Sequence, residues 1–150
     1  MKLTFFALQV MAQTVRGEAG GESDDAMRNV ARVLFARGKR PSRFGAMYAI
    51  VCLDKDQFSC WNHNDPNFLR IFELEAWELT REISAILAVY RDPTGPDPTQ
   101  GACHYLAKSL PQERWPRWAF LKDHADNVDR TRPRTIVHDD GAHLFFNDVP

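Results

Sequence analysis

Two glutamates sit among three glycines in the stretch Gly17-Glu18-Ala19-Gly20-Gly21-Glu22-Ser23, and the segments on both sides carry helical periodicity. This is the strongest constraint on the fold. Glycines permit a sharp backbone turn and a close approach by another part of the chain, so the stretch predicts two helices meeting at a corner that carries carboxylates. Upstream, Leu3, Phe6, Val10, Met11, Thr14 and Val15 recur at spacings of three and four, predicting an amphipathic helix that runs into Gly17. Downstream, Ser23 suits an N-cap, Asp24 and Asp25 suit the positive end of a helix dipole, and Gly38 with Pro41 marks a stop. The helix between them is expected to bury Met27, Val30, Ala31, Leu34 and Phe35 and to turn Arg28, Arg32 and Arg37 away. The basic run from Arg37 to Arg43 then reads as a solvated turn.

The chain has 150 residues, 44% of them hydrophobic, which predicts one domain spanning 1–150. Nineteen basic against 20 acidic side chains give no net field to hold nucleic acid or an anionic membrane, so binding must come from local shape and chemistry. Cys52, Cys60 and Cys103 are an odd count in no paired pattern, which argues against a disulfide framework. No apolar run is long enough for a membrane span.

A short helix is expected over Ala46 to Leu53, a strand or loop over Gln57 to Trp61, and a helical turn with Phe68, Leu69 and Phe72 after Asp65-Pro66. Leu74, Trp77, Ile83, Ile86, Leu87 and Tyr90 predict the longest and most central helix. A proline-rich loop follows over Arg91 to Gln100, then a strand over Gly101 to Ala107. Leu110 to Phe120, with Trp115 and Trp118 beside prolines, has no assignable period. Thr135 to His138 and Ala142 to Phe146, joined by Asp139-Asp140-Gly141, read as a β-hairpin. The expected class is α+β: a mainly helical domain with a small antiparallel β-sheet.

Three chemistries can be drawn from these residues. Glu18 can serve as an acid catalyst if Phe58, Trp61 and Tyr105 give it an apolar setting; the plainer assignment makes Glu18 and Glu22 surface carboxylates. His63, Asp65, His104, His138 and His143 are all metal-ligand types, but none falls in a diagnostic spacing, so no metal is expected. Cys60 or Cys103 can act as a nucleophile with His104 or His143. Against that, neighbours on a strand point to opposite faces, so Cys103 and His104 do not readily meet, and a buried cysteine is more simply a small hydrophobe.

Taken together, Gly17 to Ser23, Asn29-Val30-Ala31, Gln57-Phe58-Ser59-Cys60-Trp61, Gly101-Ala102-Cys103-His104-Tyr105 and Gly141-Ala142-His143-Leu144-Phe145-Phe146 resemble, in order, the blocks of the SleB-type cell wall hydrolases. Those are the catalytic domains of spore cortex-lytic enzymes and of relatives in bacteria and phages. The resemblance runs from about residue 7 to residue 147 and implies a lysozyme-like domain that cleaves peptidoglycan glycan strands as a lytic transglycosylase, without a cofactor. It places the catalytic glutamate on Glu18 and a supporting acid on Glu22. Gln57, Phe58, Ser59 and Trp61 are then expected to line the cleft opposite, with His104, Tyr105 and His143 completing it as substrate contacts. Two positions depart from the pattern: Arg16 where many members carry an aromatic, and Phe146 where many carry tyrosine. Asp54, Asp56 and Asp65 stay open as the second carboxylate of a hydrolase, and an amidase, a peptidase or a non-enzymatic glycan-binding or virion module are the alternatives. The expected partner is the glycan strand, met by a monomer. No clear leader peptide is read at the N-terminus, so synthesis in the cytoplasm and release to the wall by lysis, as for a phage endolysin, is expected.

Overall fold

A computed structural model of the chain describes residues 2–54, 57–122, 125–147 and 149. Its contacts group into two compact units, Met1–Pro96 and Asp97–Pro150. The first is helical and the second holds all the described strands, so the class is α+β with small antiparallel sheets.

In the first unit, α1 (Phe5–Ala19) starts at Thr4, whose hydroxyl accepts the Ala7 N–H at 3.1 Å. It runs through Gly17 and Glu18 and stops at Gly20, so the corner lies three residues later than the sequence suggested. Nor is α1 amphipathic. Every residue from Val10 to Val15 is buried, while Phe5 and Phe6 at its start are exposed. A helix buried on all sides belongs at the centre of its unit, and α1 packs on α2 (Asp24–Gly38), α4 (Tyr48–Leu53), α5 (Phe68–Phe72) and α6 (Thr80–Arg91). Burial of Val10, Met11 and Val15 contributes roughly 1.5–3 kcal/mol each. The polar members of the run are satisfied. Thr14 donates to the Val10 carbonyl at 2.8 Å, and the Gln13 amide donates to the carbonyls of Phe72 (3.3 Å) and Leu74 (3.1 Å).

Helix α2 begins as its sequence predicts, with Ser23 Oγ accepting the Ala26 N–H at 3.2 Å. One expectation fails on it. Arg37 is 5% exposed, its guanidinium 4.3 Å from the centre of the Phe58 ring and its Nη1 donating to the Gln57 carbonyl at 2.7 Å. An arginine can enter a core when an aromatic face and a carbonyl receive its charge and donors. The supposed solvated turn after it contains a short helix, α3 (Pro41–Phe44).

The expected central helix over Leu74 to Tyr90 is also shorter and less central. Glu75 and Glu78 form a capping box that closes a separate 3₁₀ turn, Ala76–Glu78, and α6 begins only at Thr80. Trp77, on that turn, is 76% exposed. The residues α6 buries are Glu82, Ala85 and Ile86.

In the second unit, β1 (His104–Ala107), β4 (Ile136–Asp139) and β5 (His143–Phe146) form an antiparallel sheet ordered β1-β5-β4. The predicted hairpin is β4–β5. Asp139 and Asp140 carboxylates accept the N–H groups of Gly141, Ala142 and His143, and Gly141 takes the positive φ of +93° that the turn needs. The unassigned stretch Leu110 to Phe120 holds two 3₁₀ turns, Gln112–Arg114 and Arg117–Ala119, and leads into a separate ribbon of β2 (Phe120–Lys122) with β3 (Val128–Pro133). The core of the second unit gathers Leu106, Phe120, Leu144 and Phe146 against Trp115 and Trp118.

Candidate active site

Gly17 fixes the local geometry. A Cβ built there would lie 2.6 Å from Cys60 Cβ and 2.9 Å from Cys60 Sγ. Only a residue without a side chain lets the 3₁₀ turn Ser59–Trp61 lie this close to α1. That approach carries donors to the next residue of the helix: the Cys60 N–H donates to Glu18 Oε1 at 3.1 Å, and the Ser59 hydroxyl reaches the same oxygen at 3.3 Å. The turn is held from its other end by the Trp61 indole N–H, which donates to Thr14 Oγ1 at 2.9 Å. Glu18 is half-buried, while Glu22, beyond the corner, is exposed.

Both glutamates line a cleft of about 430 Å³. One wall is the Arg16–Glu22 stretch, and the other is α5 with its flanks, through Asn67, Arg70, Ile71 and Leu74. Arg16, the position without an evident purpose in the sequence, turns to α6. It forms a two-pronged ion pair with the buried Glu82, at 2.5 Å and 3.1 Å, and donates to the Glu78 carbonyl at 3.0 Å. The bond to Glu82 raises the Arg16 pKa further, so the group is a permanent cation neutralised by its own carboxylate rather than by Glu18.

The block 57–61 supports Glu18 instead of forming the opposite wall. Phe58 is buried under Arg37, Gln57 is held by the same arginine through its carbonyl, and Trp61 is half-buried against α1. His104, Tyr105 and His143 belong to the second unit. There Tyr105 meets His143 edge-on at 5.1 Å, and His104 packs 5.0 Å from Trp118. The remaining ligand-type residues are occupied locally: His63 lies 4.6 Å from Phe68, and Asp65 Oδ1 accepts the Asn67 N–H at 2.8 Å. Among the described residues no three His, Cys, Asp or Glu side chains gather to hold a metal ion. Asp56, one of the candidate second carboxylates, lies outside the described residues.

All three cysteines are buried and none is in a disulfide. Burial pushes the Cys52 thiol up to about 12, and burial together with the charge of Glu18 pushes Cys60 upward as well. Neither supplies the thiolate that a cysteine nucleophile requires. Arg70, Asn67 and Ile71 were not legible as site residues. The only hint was the helix-starting order Asp65-Pro66, which places the next turn's side chains on one face.

These features define a class: a helical domain whose central helix ends in a carboxylate at the wall of an open cleft. The model of the family described as Cell Wall Hydrolase matches residues 21–129, and the chain belongs to that family. The match starts three residues after Glu18. In fold the chain is similar to a structure described as the crystal structure of the catalytic domain of the Bacillus cereus SleB protein, with a TM-score of 0.67 and 21% identity, over 97% of this chain and 93% of that one. No curated protein matches.

Proposed function

We propose that the chain degrades peptidoglycan by cleaving its glycan strands, with Glu18 as the one group that both gives and takes the proton. The observation that carries this is the setting of Glu18: in the cleft wall, with two donors converging on Oε1. Donors fixed on one oxygen orient the carboxyl group, so that the proton to be delivered belongs on Oε2. Family membership supports the substrate, and the pairing of Arg16 with Glu82 engages that guanidinium away from Glu18.

In the first step the Glu18 proton moves to the oxygen that links C1 of N-acetylmuramic acid to the next sugar. The C1–O bond breaks and the ring takes on oxocarbenium character. The carboxylate then takes the proton of that sugar's 6-hydroxyl as its oxygen bonds to C1, giving a 1,6-anhydro end. Glu18 is protonated again and no water is used. Glu22, at the cleft mouth, is assigned a supporting role toward the loop or a sugar hydroxyl. Asp65, whose Oδ1 holds the Asn67 N–H, is already engaged in the turn before α5, which favours one catalytic carboxylate over two.

Digestion of purified sacculi, with the muropeptides read by mass spectrometry, tests this. Anhydro ends are expected. Reducing ends would replace transglycosylation by hydrolysis, and new amino or peptide ends would replace it by an amidase or peptidase. Sacculus binding with no soluble product would mark a glycan-binding module. Glu18→Gln is expected to lower turnover by about 10²–10⁴-fold, the usual scale of acid–base catalysis.

A further inference from the structure

Charge is unevenly placed in the cleft. The α1 wall carries Glu18 and Glu22, and the guanidinium of Arg16 on that side is taken up by Glu82. The α5 wall carries Arg70, which is exposed and among the described residues forms no ion pair and no side-chain hydrogen bond. Asn67 lines the same wall three positions earlier, on the same helical face, and its side-chain amide is likewise without a partner among the described residues. An arginine fork beside an amide, facing two carboxylates across an open cleft, matches a carboxylate ligand in both charge and geometry.

Resting on the function proposed above, we propose that Arg70, with Asn67 beside it, is the specificity-determining site for a carboxylate borne by the glycan substrate. The sugar backbone of peptidoglycan is neutral. Its negative charge lies on the substituents: the lactyl carboxylate of a muramic residue without a peptide, or the carboxylates of the peptide stem. Among the described residues, nothing on the α1 wall offers such a group a free cation, since Arg16 is taken up by Glu82. With Arg70 holding it on the other wall, the bound strand turns its glycosidic oxygen toward Glu18, so the site selects both the charge of the substituent and the orientation of the strand.

The test uses the full chain, as wild type, Arg70→Ala and Arg70→Lys, on three substrates: intact sacculi, sacculi whose carboxyl groups have been converted to amides, and sacculi stripped of stems by an amidase. On intact sacculi Arg70→Ala is expected to raise the apparent KM about tenfold, the scale of one charge-assisted contact, by a larger factor than it lowers kcat, with Arg70→Lys in between. Wild type is expected to suffer the same loss on amidated sacculi, where Arg70→Ala loses nothing further. Stem removal frees a lactyl carboxylate on every muramic residue, so dependence on Arg70 that grows with stripping assigns the lactyl carboxylate, and dependence that falls assigns the stem. An Arg70→Ala enzyme equal to wild type, or losses from mutation and amidation that simply multiply, overturns the proposal. Sedimentation of Glu18→Gln with sacculi, with and without Arg70→Ala, runs beside it. Binding that needs Arg70 where wild type releases no glycan product refutes the glycosidase and leaves carboxylate recognition standing, while binding indifferent to Arg70 overturns this inference alone.

Discussion

Gly17→Ala is the sharpest perturbation the structure offers. The added methyl would sit 2.6 Å from Cys60 Cβ, 2.9 Å from its sulfur and 3.3 Å from Ile71 Cδ1. Ordinary carbon contacts lie at about 3.5–4.0 Å, so the Ser59–Trp61 turn must retreat by roughly 1 Å. Overpacking of this kind costs about 1–3 kcal/mol, and the better helix propensity of alanine offsets about 1 kcal/mol of it. The predicted net destabilisation is therefore only ~0–2 kcal/mol. The catalytic effect should be larger, because the same retreat takes the Cys60 N–H from 3.1 Å to roughly 4 Å from Glu18, beyond hydrogen-bond range. Urea unfolding gives the first quantity and the rate of sacculus solubilisation the second. Gly21→Ala is the control: its Cβ meets nothing within 4 Å, and its stability should match wild type. Combining Gly17→Ala with Cys60→Gly removes both clashing atoms, so the double variant should be more stable than the sum of the single changes predicts. Full activity in Gly17→Ala, or strict additivity in that cycle, would refute the account of how Glu18 is held.

The ion pair of Arg16 and Glu82 predicts an asymmetry. Glu82 is 1% exposed and Arg16 33%, so Arg16→Ala strands a buried charge and should cost about 3–5 kcal/mol, whereas Glu82→Ala leaves an arginine that water can reach and should cost less; equal losses in urea titration would contradict this. The buried thiols predict that Cys52, Cys60 and Cys103 stay unmodified by a disulfide reagent at pH 8 in the native protein and react together on unfolding. Rapid labelling of any of them in the folded state would refute their placement.

Local signals were the legible ones. Ser23 with its two aspartates announced the start of α2, and Asp139-Asp140-Gly141 between apolar runs announced the β4–β5 hairpin, because each is a chemical requirement of a few adjacent residues. The centre of the first unit was hidden by its polar members. Gln13 lies off the apolar stripe that Thr14 joins, so α1 read as amphipathic, and only the tertiary partners of the Gln13 side chain reveal why it is buried. Arg37 misled for the same reason: an arginine on a helix reads as solvent-facing until Phe58 and the Gln57 carbonyl are placed against it. Glu18 was visible as a residue, but the donors that orient it come from a turn more than 40 positions later, brought near by the missing side chain of Gly17. Strand β3, Val128-Asp129-Arg130-Thr131-Arg132-Pro133, has too little apolar content to announce itself.

The bonds from Gln13 to the carbonyls of Phe72 and Leu74 tie the end of α5 to the helix that bears Glu18. Each such bond is worth about 1 kcal/mol net, and a carbonyl or amide left buried without one costs more. The two cleft walls are therefore clamped at a set spacing, like the jaws of a gauge. Under the function proposed above, a strand that enters meets two walls already held at that spacing, and its sugars must fit the gap as they find it.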